Sequence, residues 1–181
     1  PAAASPVAAG FPERPDMAIT TEILRSYRAP RAVMRSILEA GPREDRAIAW
    51  LMSACAILFV AQWPRLAREA HLGDTPLDAL VGGAFLALLF LLPLLLYGIA
   101  ALSHLIARLL GGRGTFYGAR AALFWTLLAV SPLMLLRGLV SGLIGPGPAL
   151  VASDAIVAAG FFAIWAGTLY EAERHPPAVP A

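Results

Sequence analysis

No charged side chain interrupts residues 79–107, ALVGGAFLALLFLLPLLLYGIAALSHLIA, and this stretch decides the fold. A helix needs about 20 apolar residues to cross the roughly 30 Å of hydrocarbon in a bilayer, so the stretch is long enough to span a membrane. Shorter charge-free runs lie on both sides of it, at 47–64, 121–136 and 155–170. Together these runs predict an all-α protein, a multi-span helical transmembrane bundle of about four spans.

The composition of the chain also favours a membrane protein. Hydrophobic residues make up 59% of the 181 residues and charged residues 14%, against about 45–50% and about 25% in soluble domains. All basic residues are arginine, a bias typical of a GC-rich bacterial genome. The net charge of +2 is small, which predicts no nucleic-acid partner. The one cysteine, Cys55, lies mid-span, which weighs against redox chemistry.

The chain divides into segments by composition. An Ala- and Pro-rich stretch, 1–19, is predicted to be a flexible tail, and Met17 within it is a candidate translation start. Residues 20–45 are predicted to form amphipathic cytoplasmic helices, and residues 172–181 a C-terminal tail. The predicted four-span membrane domain occupies residues 46–171, with spans at about 46–64, 79–108, 118–141 and 149–170.

Four arginines accompany the apolar positions of the N-terminal amphipathic segment: Arg25, Arg28, Arg31 and Arg35. Pro30 fits the first position of the second of its helices. A basic amphipathic helix beside a span is typical of the headgroup layer, so these arginines are candidates for contact with anionic lipid headgroups. The alternative is a helix that packs on the protein's own cytoplasmic face, and the two arrangements can coexist.

Arginine placement predicts the orientation of the spans. Arginines are concentrated in residues 25–46 and 108–120, whereas 65–78 holds more acidic than basic residues and 142–150 holds no charge. Because short cytoplasmic segments are enriched in basic residues, both termini are expected in the cytoplasm. The expected localisation is the bacterial inner membrane, with several passes across it.

Two charges and two prolines lie in or near the predicted spans. Arg137 and Asp154 are expected at similar depth and form a candidate buried ion pair, structural or functional; alternatively, Arg137 snorkels to the outer headgroups. Pro93 and Pro132 each remove a backbone hydrogen bond and predict helix kinks. The run 79–107 is longer than the hydrocarbon is thick, so it is expected to tilt, bend at Pro93 or leave the bilayer.

Small residues at every fourth position predict close helix packing. They are Gly138 and Gly142, and then the ladder Ala155, Ala159, Ala163 and Gly167. Small side chains let two helices approach closely inside a membrane, where contact rather than hydrophobic expulsion drives association. Packing within the chain and packing against a partner both remain open for the ladder.

Catalytic and metal-binding patterns are missing from the sequence. The Gly-rich residues 111–118 lack the dinucleotide-binding spacing and the lysine of a phosphate-binding loop. His71, His104 and His175 occupy separate segments, without ligands at metal spacing. Ser103 and His104 do not share a helix face, and the predicted spans hold no acid to orient the histidine. We therefore predict no enzymatic activity, no cofactor and no metal site.

The loop between the second and third predicted spans resembles a known family. It reads LLGGRGTFYGARAALF over residues 109–124, and a proline follows inside the next helix. This pattern resembles the Ypt-interacting-protein (Yip) domain family, and the similarity extends over about residues 20–170. The loop residues that carry the likeness are Gly111, Gly112, Gly114 and Phe116. The resemblance implies a multi-span membrane protein; eukaryotic members act in vesicle traffic with small GTPases.

Three functions are compatible with these features. The first is a non-enzymatic inner-membrane protein of the Yip type, acting in membrane organisation or assembly through helix packing and a basic cytoplasmic face. The second is an accessory or structural subunit of a larger respiratory or photosynthetic complex, and the third is a small transporter or channel. The expected partners are the bilayer, its anionic headgroups, and a membrane protein or a second copy of the chain.

Overall fold

The computed structural model describes residues 19–174, and all regular structure in this range is helical. Its six helices are α1 Ile19–Ser26, α2 Pro30–Glu39, α3 Glu44–Leu72, α4 Leu77–Leu109, α5 Phe116–Leu143 and α6 Pro148–Arg174. Helices α3 to α6 are long and apolar enough to cross a membrane, which confirms the predicted fold class. Residues 1–18 and 175–181, including Met17 and His175, lie outside the described residues.

Helix α5 lies at the centre of the bundle. Every residue from 121 to 131 is buried, because α1, α3, α4 and α6 all pack against this helix. Trp125 meets Trp50 of α3 edge to face, with 5.0 Å between ring centroids, and Phe124 meets Tyr97 of α4 at 5.1 Å. Edge-to-face aromatic pairs are favourable beyond their buried area, so these contacts help to fix α3 and α4 on α5.

The two predicted kink prolines are accommodated differently. Just before Pro93, α4 widens into a π-helical stretch at Ala87–Leu91, one of the local adjustments that satisfy backbone groups near a proline in a membrane helix. Helix α5 runs unbroken through Pro132, whose nitrogen has no hydrogen for the carbonyl of Leu128. The hydroxyl of Ser131 donates to that carbonyl instead, at 2.8 Å. A side chain therefore replaces the backbone bond that a membrane interior would leave unsatisfied.

Both the first and the last span are longer than the sequence predicts. Helix α3 continues past residue 64 to Leu72, so most of the predicted first loop is helical. Arg65 pairs with Glu69 one turn later, at 2.8 Å, and such pairs support a helix beyond its apolar run. Helix α6 continues to Arg174, and Glu173 is buried, so the predicted C-terminal tail is corrected for residues 172–174.

Small residues join α5 to α3. A Cβ atom built at Gly138 would collide with the backbone of Ala61, and one at Gly142 would collide with Pro64. Gly138 and Gly142 therefore lie in a contact too close for any side chain. This agrees with the packing role expected of small residues in membrane helices.

Most of the predicted ladder on α6 does not pack within the chain. The residues that remain exposed are Ala155, Ala159 and Ala163. Helix α6 instead turns a larger apolar face, with Val157 and Ile164, toward α5. Only Gly167 meets another element, since a Cβ there would lie 2.8 Å from the ring of Pro30. The intramolecular interpretation is thus corrected for the three alanines.

Candidate functional site

Helices α1 and α2 form a hairpin that is docked against α5. The indole nitrogen of Trp125 donates to the hydroxyl of Ser26 at 2.9 Å, and both groups are fully buried. The hydroxyl of Tyr27 donates to the carbonyl of Ala129 at 2.8 Å. Ala129 belongs to α5, so this bond fixes the tip of the hairpin to the central helix. Partial burial raises the pKa of the Tyr27 hydroxyl, which keeps it protonated as a donor.

The second arm of the hairpin is bonded to α6. Arg35 donates to Glu171 through Nε and Nη2, each at 2.8 Å, and the guanidinium of Arg31 lies 4.4 Å from the ring centroid of Tyr170. The hydrogen bond to Glu171 raises the pKa of Arg35 above its ordinary value. This contribution is complete below the ordinary pKa of arginine, so the pair persists throughout the physiological pH range.

The candidate headgroup arginines therefore separate into two pairs. Arg31 and Arg35 contact the protein's own last helix, which supports the packing alternative for α2. Arg25 and Arg28 are exposed on the hairpin, and neither forms an ion pair with another residue of 19–174. Contact with lipid headgroups stays a prediction for these two.

The glycine-rich loop after α4 wraps around the end of α6. The carboxylate of Glu173 accepts from the backbone nitrogen of Gly114 at 3.2 Å, and its other oxygen lies 2.7 Å from Nδ1 of His104. The backbone carbonyl of Glu173 accepts from the nitrogen of Arg113 at 2.8 Å. Glu173 and His104 are 6% and 2% exposed, so the pair is almost fully enclosed. It ties three segments of the chain together.

Close approach explains the glycines of this loop. Gly111 adopts a positive φ of 91°, and a Cβ at Gly114 would lie 2.5 Å from the carbonyl oxygen of Ala172. The backbone nitrogens of residues 111–114 bond within the protein, so they are not free to cradle a phosphate. Phe116 covers the cluster, with its ring centroid 4.4 Å from that of His104. The glycine-rich loop thus holds the end of α6 against the end of α4.

Sequence reasoning missed the partner of His104. The sequence predicts that Glu173 lies in a C-terminal tail, and it offers no acid within the predicted spans that could orient the histidine. Residue spacing could have pointed to it, because the end of the second span and the end of the fourth lie on the same side of a four-span protein. A histidine at one end and an acid just past the other are then candidates for contact.

Arg137 and Asp154 are brought together at the other end of the bundle. Nε of Arg137 donates to Oδ1 of Asp154, which joins the end of α5 to the start of α6. The two side chains are 30% and 45% exposed, so the pair is partly rather than fully buried. Among residues 19–174, no group of three or more His, Cys, Asp or Glu side chains is placed to hold a metal ion.

The two ends of the bundle differ in charge. Arg120 pairs with Glu44, which joins the start of α5 to the start of α3, and Phe116 at the start of α5 packs against His104. We call this the basic end, and it is formed by residues 35–46, 108–120 and 171–174. The opposite end, residues 65–78 and 137–154, holds more acidic than basic side chains.

Comparison with known proteins agrees with this architecture. The family model of the Yip1 domain matches residues 24–171, from the docked hairpin through all four long helices to the acid that binds Arg35. No curated protein and no solved structure matches the chain. Since the family match covers most of the sequence and four helices are able to span a bilayer, the chain is a multi-pass membrane protein that belongs to the Yip1 domain family.

Proposed function

We propose that this protein is non-enzymatic and organises or assembles other components of a bacterial inner membrane. The docked hairpin carries the proposal, because it holds Arg25 and Arg28 exposed while Ser26 and Arg35 fasten it to the bundle. A basic surface held in one place is suited to anionic headgroups or to an acidic protein surface.

The buried polar groups support a structural rather than a catalytic role. His104 and Glu173 bond to each other and to the loop, and they are almost completely buried. The hydroxyls of Thr126 and Thr168 lie 3.1 Å apart and also bond to helix carbonyls. These groups are held by one another and by the backbone, whereas a catalytic group needs a donor or acceptor that can reach a substrate. Turnover of a substrate by the purified protein would contradict this part of the proposal.

The proposed orientation has the basic end and both termini in the cytoplasm. We expect a cysteine introduced as Arg43→Cys, at the basic end, to react with a membrane-impermeant maleimide only after the membrane is opened. Asp74→Cys, in the exposed turn at the opposite end, should react in intact spheroplasts. Cys55 is fully buried, so the unmodified protein serves as the background control. The reverse labelling pattern would overturn the orientation.

The assembly role is tested by removing the exposed charges of the hairpin. We expect Arg25→Gln with Arg28→Gln to reduce crosslinked complexes in native membranes by about fivefold or more, as the loss of about 1 kcal/mol would do. The matched control is Arg43→Gln with Arg108→Gln, which removes the same amount of charge from the basic end and leaves the hairpin unchanged. Equal complex formation by both double variants would contradict the proposal.

A second candidate function is favoured by the exposed alanines of α6. Ala155, Ala159 and Ala163 offer a smooth face for a helix of another protein, as an accessory subunit of a larger respiratory or photosynthetic complex would need. Native mass spectrometry in mild detergent separates the two candidates. A stoichiometric complex supports the accessory subunit, and a lone monomer counts against it.

A further inference from the structure

A cleft opens at the basic end between the last turns of α4 and α6. Its volume is about 730 Å³. The walls are apolar and include Ala107, Leu110, Ala166 and Leu169, whereas two arginines, Arg113 and Arg174, stand among the polar lining. Leu110 is 84% exposed, which suits an apolar side chain at the boundary of a bilayer.

Neither arginine of this cleft, Arg113 or Arg174, forms an ion pair with another residue of the described range 19–174. The guanidinium of Arg174 lies 4.2 Å from the ring centroid of Tyr170, and Arg31 approaches the same ring at 4.4 Å. Glu173 also lines the cleft, but its carboxylate is taken by His104 and the loop. The mouth is therefore positively charged.

We propose that this cleft binds one anionic phospholipid, with its phosphate between Arg113 and Arg174 and an acyl chain along the apolar walls. Arginine side chains bind phosphate oxygens through paired, charge-assisted hydrogen bonds, and basic pockets between spans suit anionic headgroups. The loop nitrogens are already bonded, so the side chains supply the donors. This inference rests on the proposed function, because the bound phospholipid would be one of the membrane components that the protein organises.

The walls favour a lipid over a soluble phosphate compound. Alanine and leucine side chains offer a water-soluble ligand no hydrogen bonds, whereas an acyl chain gains by burying its surface against them. Ala166 is exposed and small, so a chain can lie across it toward Ala107. The phosphate and the acyl chain are thus recognised by different parts of the same cleft.

Native mass spectrometry of the full-length protein in mild detergent tests the site. The probes are phosphatidylglycerol, phosphatidylcholine and glycerol 3-phosphate. We expect the first bound molecule of phosphatidylglycerol to bind about tenfold more tightly than the first molecule of phosphatidylcholine. The double variant Arg113→Gln with Arg174→Gln should abolish that preference. Arg43→Gln with Arg65→Gln, which removes two arginines outside the cleft, should leave it unchanged. A preference that survives in the cleft variant would overturn the site.

A second variant separates the lipid from a soluble ligand and guards against misfolding. Ala166→Phe keeps both arginines and fills the apolar wall, so it should weaken phosphatidylglycerol binding about fivefold or more. The cleft would instead be a site for a soluble phosphate compound if glycerol 3-phosphate bound as tightly as phosphatidylglycerol and if Ala166→Phe left its affinity unchanged. The crosslinking experiment on the proposed function tests Arg25 and Arg28 instead. Its result therefore does not depend on whether the cleft binds a lipid.

Discussion

Replacing Glu173 by alanine is expected to lower the free energy of unfolding by about 3–5 kcal/mol, because it removes the carboxyl group to which both His104 and the backbone nitrogen of Gly114 bond, and each enclosed polar group left without a partner costs about 1–3 kcal/mol. His104 would stay buried without its acid, and the backbone nitrogen of Gly114 would lose its acceptor. Each unsatisfied buried group adds a desolvation cost. Reversible unfolding of the full-length protein in mixed micelles, followed by circular dichroism, measures the loss.

The matched control is Glu39→Ala, which removes the same charge from an exposed position at the end of α2. We expect a change within about 0.5 kcal/mol there, as for most surface substitutions. Adding His104→Ala to Glu173→Ala should recover part of the stability, because the buried imidazole that has lost its hydrogen-bond partner is removed as well. If Glu173→Ala and Glu39→Ala have the same free energy of unfolding, the contact of Glu173 with His104 and the loop is not a major stabilising feature.

The four spans could be predicted from the sequence because hydrophobic length is a local property. The length of each charge-free run alone determines how thick a hydrocarbon layer it can cross. The four long helices contain all four of these runs. The ends of the helices could not be predicted in the same way. Charges such as Arg65 and Glu171 close a charge-free run but do not end a helix, since backbone hydrogen bonds continue outside the hydrocarbon.

The sequence can place two distant residues at the same end of the bundle, but it does not determine that they are in contact. The pair His104 and Glu173 is separated by 69 positions, and the bond between Ser26 and Trp125 by 99. Amphipathic spacing predicts that the hairpin has an apolar face, but the same face could meet lipid or protein. The neighbour is decided by the shape of the groove beside α5, which forms only when the spans have packed.

Small-residue spacing shows the same limit at two sites. The pattern of Gly138 and Gly142 is like that of Ala155 and Ala159, yet the glycines lie against α3 and the alanines face outward. The spacing of small residues predicts that a helix has a smooth face, but it does not predict which neighbour packs against that face. The arrangement of α3, α5 and α6 decides this.

Gly138→Ala is expected to destabilise the protein by about 2–4 kcal/mol, although alanine is normally the better helix former. The added methyl group would overlap the carbonyl oxygen and the carbonyl carbon of Ala61. Both atoms belong to the backbone of α3, so no side-chain rotation can relieve the overlap and the two spans must move apart. Moving apart weakens the close packing on which helix association in a bilayer depends.

A glycine without neighbours provides the control for this substitution. Gly98 lies within α4, and a Cβ there would meet nothing within 4 Å. Gly98→Ala should therefore change stability by less than about 1 kcal/mol, in the stabilising direction, because alanine restricts the unfolded chain. Both variants unfold under the same micellar conditions as the Glu173 series. If Gly138→Ala proves as stable as Gly98→Ala, α3 and α5 are not held by close backbone contact, and the packing at Ala61 must be looser than the geometry requires.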